Sequence, residues 1–319
     1  MTWHVVTGGA GFIGANLVRR LVQTGGRVVV VDDLSLGRRE HLAGLADTLL
    51  LQLDAADAGA LAAALRMVPD GPVEVWHLCA NSDIQKGVTD PSVDLRATFL
   101  TTFAVLEVMR TRNWRRLHFA STSAVYGDHG TTAIHELTPT LPVSNYGAMK
   151  LASEAIIRAA CETFLDSARV FRFPNVVGLP ATHGAILDFT RRLIADPQRL
   201  AVLGNGMQQK AYLHVAELVD AMLFIRDHAD GPHRIYNIGP EDAGIRISAI
   251  AEMVRSRVAP AAAIAYGTEA RGWVGDVPRF RYDVSRLKAL GWAPRLGSAQ
   301  AVARAVDEIA QQEFCRYDA

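Results

Sequence analysis

Tyr146 and Lys150 stand four residues apart, as Y-x-x-x-K, at the start of a segment with helical patterning. Positions i and i+4 share one face of a helix, so a helix capped by Ser144 or Asn145 and running to about Phe164 sets the phenol beside the ammonium. A free tyrosine, with a pKa of about 10, is a poor base at neutral pH, and a nearby ammonium favours its phenolate. The pair therefore reads as a general base with its activator. Thr122, at the end of an apolar strand over 117–120, brings a hydroxyl able to bond the same substrate oxygen. Y-x-x-x-K also arises by chance on solvated helix faces, so the pair takes its meaning from the elements around it.

The first of those elements is a glycine turn. Residues 3–7 read as a short apolar strand and 12–21 carry the helical period, which puts Gly8-Gly9-Ala10-Gly11-Phe12-Ile13-Gly14 at a strand-to-helix junction. Gly8 allows the tight turn, Gly11 lets the backbone approach a pyrophosphate, and Gly14 lets the helix pack close to the sheet. The helix N-terminus offers unpaired N–H groups to the anion. The spacing is G-x-x-G-x-x-G rather than G-x-G-x-x-G. A second strand, 27–31, ends at Asp32, whose carboxylate can accept hydrogen bonds from the adenosine ribose and repels a 2′-phosphate. NAD is thereby favoured over NADP, with Arg38 and Arg39 as the opposing feature. A nicotinamide dinucleotide on this turn and a phenol–ammonium pair downstream imply hydride transfer at a hydroxyl-bearing carbon.

Strands near 3–7, 27–31, 48–53, 73–78, 115–120 and 168–173 alternate with helical patterns. That alternation predicts an α/β fold, a Rossmann-type doubly wound parallel sheet, with a smaller interleaved substrate-binding lobe. After Pro174 the pattern loosens: 176–210 is broken by Gly and Pro, 215–225 reads as a helix, and 234–238 reads as a strand that rejoins the sheet. Short helices over 248–257 and 284–290 follow among loops. The expected division is 1–175 with about 213–240 for the dinucleotide, and 176–212 with 241–319 for the substrate, the ligand lying in a cleft at the carboxyl ends of the strands.

The 319 residues include 33 basic and 33 acidic side chains, and a net charge of zero gives no electrostatic reason to expect nucleic acid or an anionic membrane as partner. Cys79, Cys161 and Cys315 are an odd set without metal spacing, which suits reduced thiols in a cytoplasm. No His/Cys/Asp/Glu grouping has metal-ligand spacing, so no metal is expected. No run of about 18 apolar residues is present to span a bilayer, and the N-terminal apolar segment is a strand broken by glycines rather than a leader. His77 ends a buried-looking strand and reads as a packed, hydrogen-bonded histidine.

The stretches VVTGGAGFIGANLV, VDDLSLGRRE, HLCANSDI, FASTSAVYGD, SNYGAMK, RFPNVVG, THGAILDF, VLGNGMQQKAYLHV and RGWVGDVP run over nearly the whole chain. Together they resemble the extended short-chain dehydrogenase/reductases, specifically nucleotide-sugar epimerases, and most of all UDP-glucose (galactose) 4-epimerases of the archaeal type. The resemblance implies NAD contacts from Gly8, Gly11, Phe12, Ile13, Gly14, Asp32, Asp33, Leu34, Ser35, Gly37, Asp54, Ala55, Leu78, Ala80, Tyr146 and Lys150. It implies a UDP-sugar substrate held by Ser82, Thr122, Ser123, Tyr146, Asn175, Lys210, Tyr212, Arg271, Asp276 and Phe280, with Thr122, Tyr146 and Lys150 catalytic. Phe280 falls at the position that resembles the family's gatekeeper beside the sugar C2 substituent. The resemblance also implies a homodimer, with helices over 93–109 and 147–164 pairing across a two-fold axis, although apolar residues there serve equally as core.

Two positions depart from the family pattern: Thr98 stands where many members have Asn, and Trp273 where bacterial epimerases have Arg, with Arg271 just upstream. Sugar 4,6-dehydratases of the superfamily carry Asp-Glu directly after the threonine, and UDP-glucuronate decarboxylases resemble T-S-E there. Here those places are Ser123 and Ala124, so elimination lacks its acid/base pair. Epimerisation at C4 needs neither carboxylate. The expected activity is interconversion of UDP-glucose and UDP-galactose through a 4-keto intermediate. A UDP-glucuronate 4-epimerase is the nearest rival, and a NAD-binding protein without turnover is the rival from another class.

Overall fold

Four consecutive valines, Val28 to Val31, are each at most 1% exposed. An uninterrupted apolar strand of this kind is stable only where both faces of a sheet are covered, which is the situation of a parallel sheet between helices. The computed structural model describes residues 2–269 and 280–317. Seven strands form the main sheet: β1 (Trp3–Thr7), β2 (Arg27–Asp32), β3 (Thr48–Gln52), β4 (Val73–His77), β5 (Arg116–Thr122), β6 (Ser167–Phe173) and β7 (His233–Asn237). Their order is β7-β6-β5-β4-β1-β2-β3, and the β1–β2, β1–β4, β2–β3 and β4–β5 ladders run parallel. The order reverses between β1 and β4, which opens the topological switch point at their carboxyl ends. The fold is therefore the doubly wound Rossmann type read from the alternation, including the late strand that rejoins the sheet.

Three helices matter for the site: α1 (Phe12–Gln23), α2 (Thr101–Thr111) and α3 (Asn145–Cys161). α1 buries Ala15, Leu17, Val18 and Leu21, the row its helical period marks. α3 starts where Ser144 accepts the Gly147 N–H on its hydroxyl at 3.1 Å, and it ends at Cys161, three residues short of the expected end. The segment read as one helix over 93–109 is three pieces: a short helix Pro91–Asp94, a π-type turn over Leu95–Leu100, and α2. Threonines explain the interruption. Thr101 donates its hydroxyl to the carbonyls of Ala97 and Thr98, and Thr102 to that of Thr98, and such back-bonding competes with the regular ladder.

The chain divides into two compact units, residues 1–127, 138–172 and 219–236 in the first, and 128–137, 173–218 and 237–319 in the second. Residues 128–137, which the sequence reading kept with the dinucleotide, group with the second unit because Ala133–Ile134 pairs with Arg281–Tyr282. The first unit packs Val5, Val29, Val75, Leu117 and Val170 of the sheet with Val105, Met109 and Ile157 of α2 and α3.

The second unit holds more regular structure than its sequence suggests. The stretch read as broken contains the helix Ala185–Ala195, which buries Ile186, Leu187, Phe189 and Leu193 although its N-cap, Gly184, supplies no capping side chain. The longest helix among the described residues, Ser298–Tyr317, was not anticipated; its Ala301, Val302, Ala305, Val306 and Ile309 complete the same core as Ile250 and Val254 of the helix Ile247–Val258. Short ladders join Arg199–Val202 to Ala263–Tyr266, Asn175–Val177 to Tyr212–His214, and Gln209–Lys210 to Ile245–Arg246. No helix among the described residues is long and apolar enough to cross a membrane.

Candidate active site

The turn after β1 is held by its own backbone. Gly8 has φ +71° and its N–H donates to the Val31 carbonyl at 2.7 Å; a side chain there would drive into the backbone of Cys79, whose nitrogen lies 2.7 Å from the place of a Cβ. At Gly14 a Cβ would stand 2.1 Å from the Gly8 carbonyl oxygen, so only glycine lets α1 start this close to the strand. Gly11 is the N-cap of α1, and no side chain caps its first turn. The N–H groups there, with Phe12 and Ile13 in the first turn, remain available to an anion, which is what a dinucleotide pyrophosphate requires.

Asp32 closes β2 and is 7% exposed. Its Oδ2 accepts the Ala10 N–H and its Oδ1 the Leu34 N–H, both at 2.9 Å. The carboxylate has acceptor capacity beyond these bonds for a ribose hydroxyl, and Gly37 leaves the space: a Cβ there would lie 2.7 Å from Oδ1. Burial pushes the Asp32 carboxyl above its usual range, with the backbone hydrogen bonds working against that rise. Asp33 closes its own loop, accepting the Ser35 N–H at 2.9 Å and the Ser35 hydroxyl at 2.6 Å, while Leu34 takes φ +61°. Asp54 accepts the Ala56 N–H at 2.8 Å and two bonds from Arg96, at 2.9 and 2.7 Å. Ala55 is buried, and Leu78 and Ala80 are half-buried at the end of β4. The crowded glycines, the uncapped helix and the acidic strand end suit NAD.

Around α3 the structure brings Thr122, Tyr146 and Lys150 together. Thr122 Oγ1 accepts the Ala124 N–H at 3.1 Å, and the Thr122 hydroxyl acts on Tyr146 in the direction that lowers its phenol pKa. Lys150 is 1% exposed, donates to the Ala120 carbonyl at 2.6 Å, and lies 4.6 Å from the centre of the Phe119 ring and 6.0 Å from that of Tyr146. Burial pushes Tyr146 up to about 12, with Thr122 opposing the rise and Asp94 adding to it. Burial also pulls Lys150 down to about 8, against Cys79 and Glu154, which hold it up.

Ser123 is half-buried in the turn after Thr122, and Ser82 is exposed beyond β4. His77 is the packed histidine its position suggested, fully buried between the Thr7 hydroxyl at 2.7 Å and the Thr102 hydroxyl at 2.9 Å. Sequence reasoning missed two buried groups. Glu154 lies one turn after Lys150 and pairs with Arg172; continuing the i, i+4 row would have found it. Asp94 is fully buried and accepts the Asn81 side-chain amide at 2.8 Å, and Thr98, in the place of the usual Asn, accepts the Asn81 backbone N–H at 3.2 Å.

In the second unit Asn175 and Tyr212 are register partners, Asn175 exposed and Tyr212 buried in the unit's core. Lys210 is half-buried two residues before Tyr212, and Phe280 is half-buried with its ring edge-on to Tyr282 at 4.7 Å. Arg271, Trp273 and Asp276 lie outside the described residues.

The family described as NAD dependent epimerase/dehydratase matches residues 4–239. The chain belongs to that family. Its cofactor is NAD. The chain is similar to the UDP-glucose 4-epimerase of Mycolicibacterium smegmatis, 29% identical over 311 residues and covering 95% of this chain and 97% of that one. A crystal structure of a UDP-galactose 4-epimerase superposes with a TM-score of 0.87 at 35% identity, covering 98% of this chain and 99% of the other. The dTDP-glucose 4,6-dehydratase of M. smegmatis is 31% identical over 303 residues, covering 91% and 88%. Overall likeness therefore places the chain among NAD-dependent sugar-nucleotide enzymes without separating epimerase from dehydratase.

Proposed function

We propose that this chain is a nucleotide-sugar 4-epimerase that interconverts UDP-glucose and UDP-galactose in the cytoplasm. The observation that carries this reading is the turn after β5. Thr122 is followed by Ser123 and Ala124, and Ala124 donates its N–H to Thr122 Oγ1 where a dehydratase needs a carboxylate. Without an acid and a base at that place, loss of water from the oxidised sugar has no catalyst, whereas epimerisation requires none.

Bound NAD supplies a hydride acceptor that becomes the hydride donor. The chain's own residues manage the proton and the geometry. Thr122 holds the C4 oxygen beside Tyr146. Tyr146 takes the C4 hydroxyl proton as the carbonyl forms and returns it when the ketone is reduced on its other face. Burial sets Tyr146 against ionising on its own, so proton removal depends on positive charge gathered in the closed site, of which the buried Lys150 ammonium is the protein's share. Asn175, Lys210, Tyr212, Arg271, Asp276 and Phe280 are proposed for the nucleotide and sugar. Leu95, Leu100 and Phe103, exposed at 44%, 36% and 51%, are proposed as part of a two-fold interface, which sedimentation of the purified protein tests.

The deciding experiment incubates the protein with UDP-glucose, UDP-galactose, UDP-glucuronate and their N-acetyl analogues and identifies the products. A C4 epimer without net NADH is expected. A 4-keto-6-deoxy sugar would instead make the chain a dehydratase, and turnover of UDP-glucuronate alone would move the substrate.

A further inference from the structure

Behind the catalytic side chains lies a buried ion pair that the proposed reaction does not use. Glu154 is 4% exposed on α3, and Arg172 is 3% exposed on β6. Arg172 donates to both carboxylate oxygens, Nε to Oε1 at 3.0 Å and Nη2 to Oε2 at 2.5 Å. Its Nη1 donates to the Tyr126 hydroxyl at 2.9 Å, and its guanidinium carbon stands 4.8 Å from the Tyr126 ring centre. The hydroxyl of Ser121, the residue before Thr122, also donates to Glu154 Oε1.

Replacing a buried ion pair with apolar residues often leaves stability unchanged or improves it, so stability does not account for these charges. Their placement does. One carboxylate is bonded at once to the end of β5, which carries Thr122, and to β6, while its helix carries Tyr146 and Lys150. Lys150 neighbours His77 at the end of β4 and Cys79 just beyond it, the Ala120 carbonyl from β5, and, four residues away on either side along its own helix, Tyr146 and Glu154. His77 is neutral and the Cys79 thiol is pushed up to about 11, which leaves Glu154 as the full negative charge among these groups.

We propose that Glu154 is a positioning residue for the Thr122–Tyr146–Lys150 group: clamped by Arg172 and Ser121, it fixes α3 against the end of β5 and serves as the buried counter-ion of the Lys150 ammonium. The role deepens the epimerase reading and rests on it for the kinetic assay alone.

The test compares Glu154→Gln, Glu154→Asp and the double variant Glu154→Gln/Arg172→Met with the unsubstituted holoenzyme. Glu154→Gln should lower kcat about 10- to 100-fold with KM changed less than about 2-fold, and move the alkaline limb of the kcat profile about one pH unit lower as Lys150 loses its proton earlier. Glu154→Asp should restore the limb and part of kcat. The double variant removes the unpaired guanidinium and should fold even where the single one does not, yet keep the displaced limb. An unmoved limb in folded Glu154→Gln or in the double variant, or a fall in kcat that only tracks the folded fraction, overturns the proposal. If the protein turns over no UDP-hexose, the function fails but this inference is still read from the titration of Lys150 in NAD-loaded protein, by NMR of isotope-labelled lysine assigned through Lys150→Arg. An unchanged Lys150 titration in Glu154→Gln then refutes it.

Discussion

His4, on the strand that leads into the glycine turn, should weaken this protein in mild acid by an amount the structure sets. It is 4% exposed; its Nδ1 accepts the Trp76 indole N–H at 3.4 Å and lies 3.4 Å from Glu74. Burial, with Arg226 second, pulls it from 6.5 to about 4. A folded pKa below the unfolded one means the unfolded chain binds the proton first. His4 therefore contributes its stability in full above pH 6.5 and loses it as pH falls toward about 4. At about 1.4 kcal/mol per pH unit, the loss between pH 6.5 and about 5 is on the order of 2 kcal/mol, a large part of the roughly 5–15 kcal/mol that holds a typical domain. Stopping near pH 5 matters because burial holds Glu74 above the usual carboxylate range, and its protonation works in the opposite direction. His4→Gln keeps an acceptor for Trp76 and cannot titrate. Urea unfolding across this window should give the unsubstituted protein the steeper fall, by about 2 kcal/mol in total. His77, pulled to about 3, and His118 share the sign and remain in the variant, so its own slope should not vanish. Equal slopes for the two proteins would falsify the assignment of His4 as a neutral buried base.

Tyr146→Phe should keep fold and NAD while losing about 100- to 10,000-fold in turnover, since only the proton-carrying oxygen is removed; near-normal kcat excludes Tyr146 as the base. Calorimetry should show NAD bound more tightly than NADP, with Asp32→Asn narrowing the gap by removing the charge that repels a 2′-phosphate. Equal affinities in the unsubstituted protein refute that role for Asp32. Phe280→Cys should raise kcat/KM for UDP-N-acetylgalactosamine relative to UDP-galactose by about 10- to 100-fold, the effect of relieving about 1–3 kcal/mol of overpacking. No change in that ratio removes Phe280 from the sugar pocket.

How much was legible before folding varies with the range of the forces involved. The glycine turn, the run of valines ending in Asp32, and the Ser144 cap are local patterns, and each produced the element its spacing implies. The helices Ala185–Ala195 and Ser298–Tyr317 were harder to read. The first begins at Gly184 without a capping side chain, and the second shows an Ala/Val stripe whose value appears only once Ile250 and Val254 pack against it. The interruption over Leu95–Leu100 depends on which carbonyls the threonine hydroxyls reach, which residue spacing alone does not specify.

The sequence by itself determined the chemical inventory: a dinucleotide turn, an acidic strand end, and the phenol, ammonium and hydroxyl of Tyr146, Lys150 and Thr122, with no carboxylate after the threonine. Tertiary structure decided what state those groups hold. Desolvation is set by everything that surrounds a side chain, so spacing could place Lys150 near Tyr146 but could not reveal that burial holds the phenol up to about 12, nor that Glu154 and Arg172 meet across α3 and β6. Charges and protons respond to the full shell of neighbours, and that shell exists only in the folded chain.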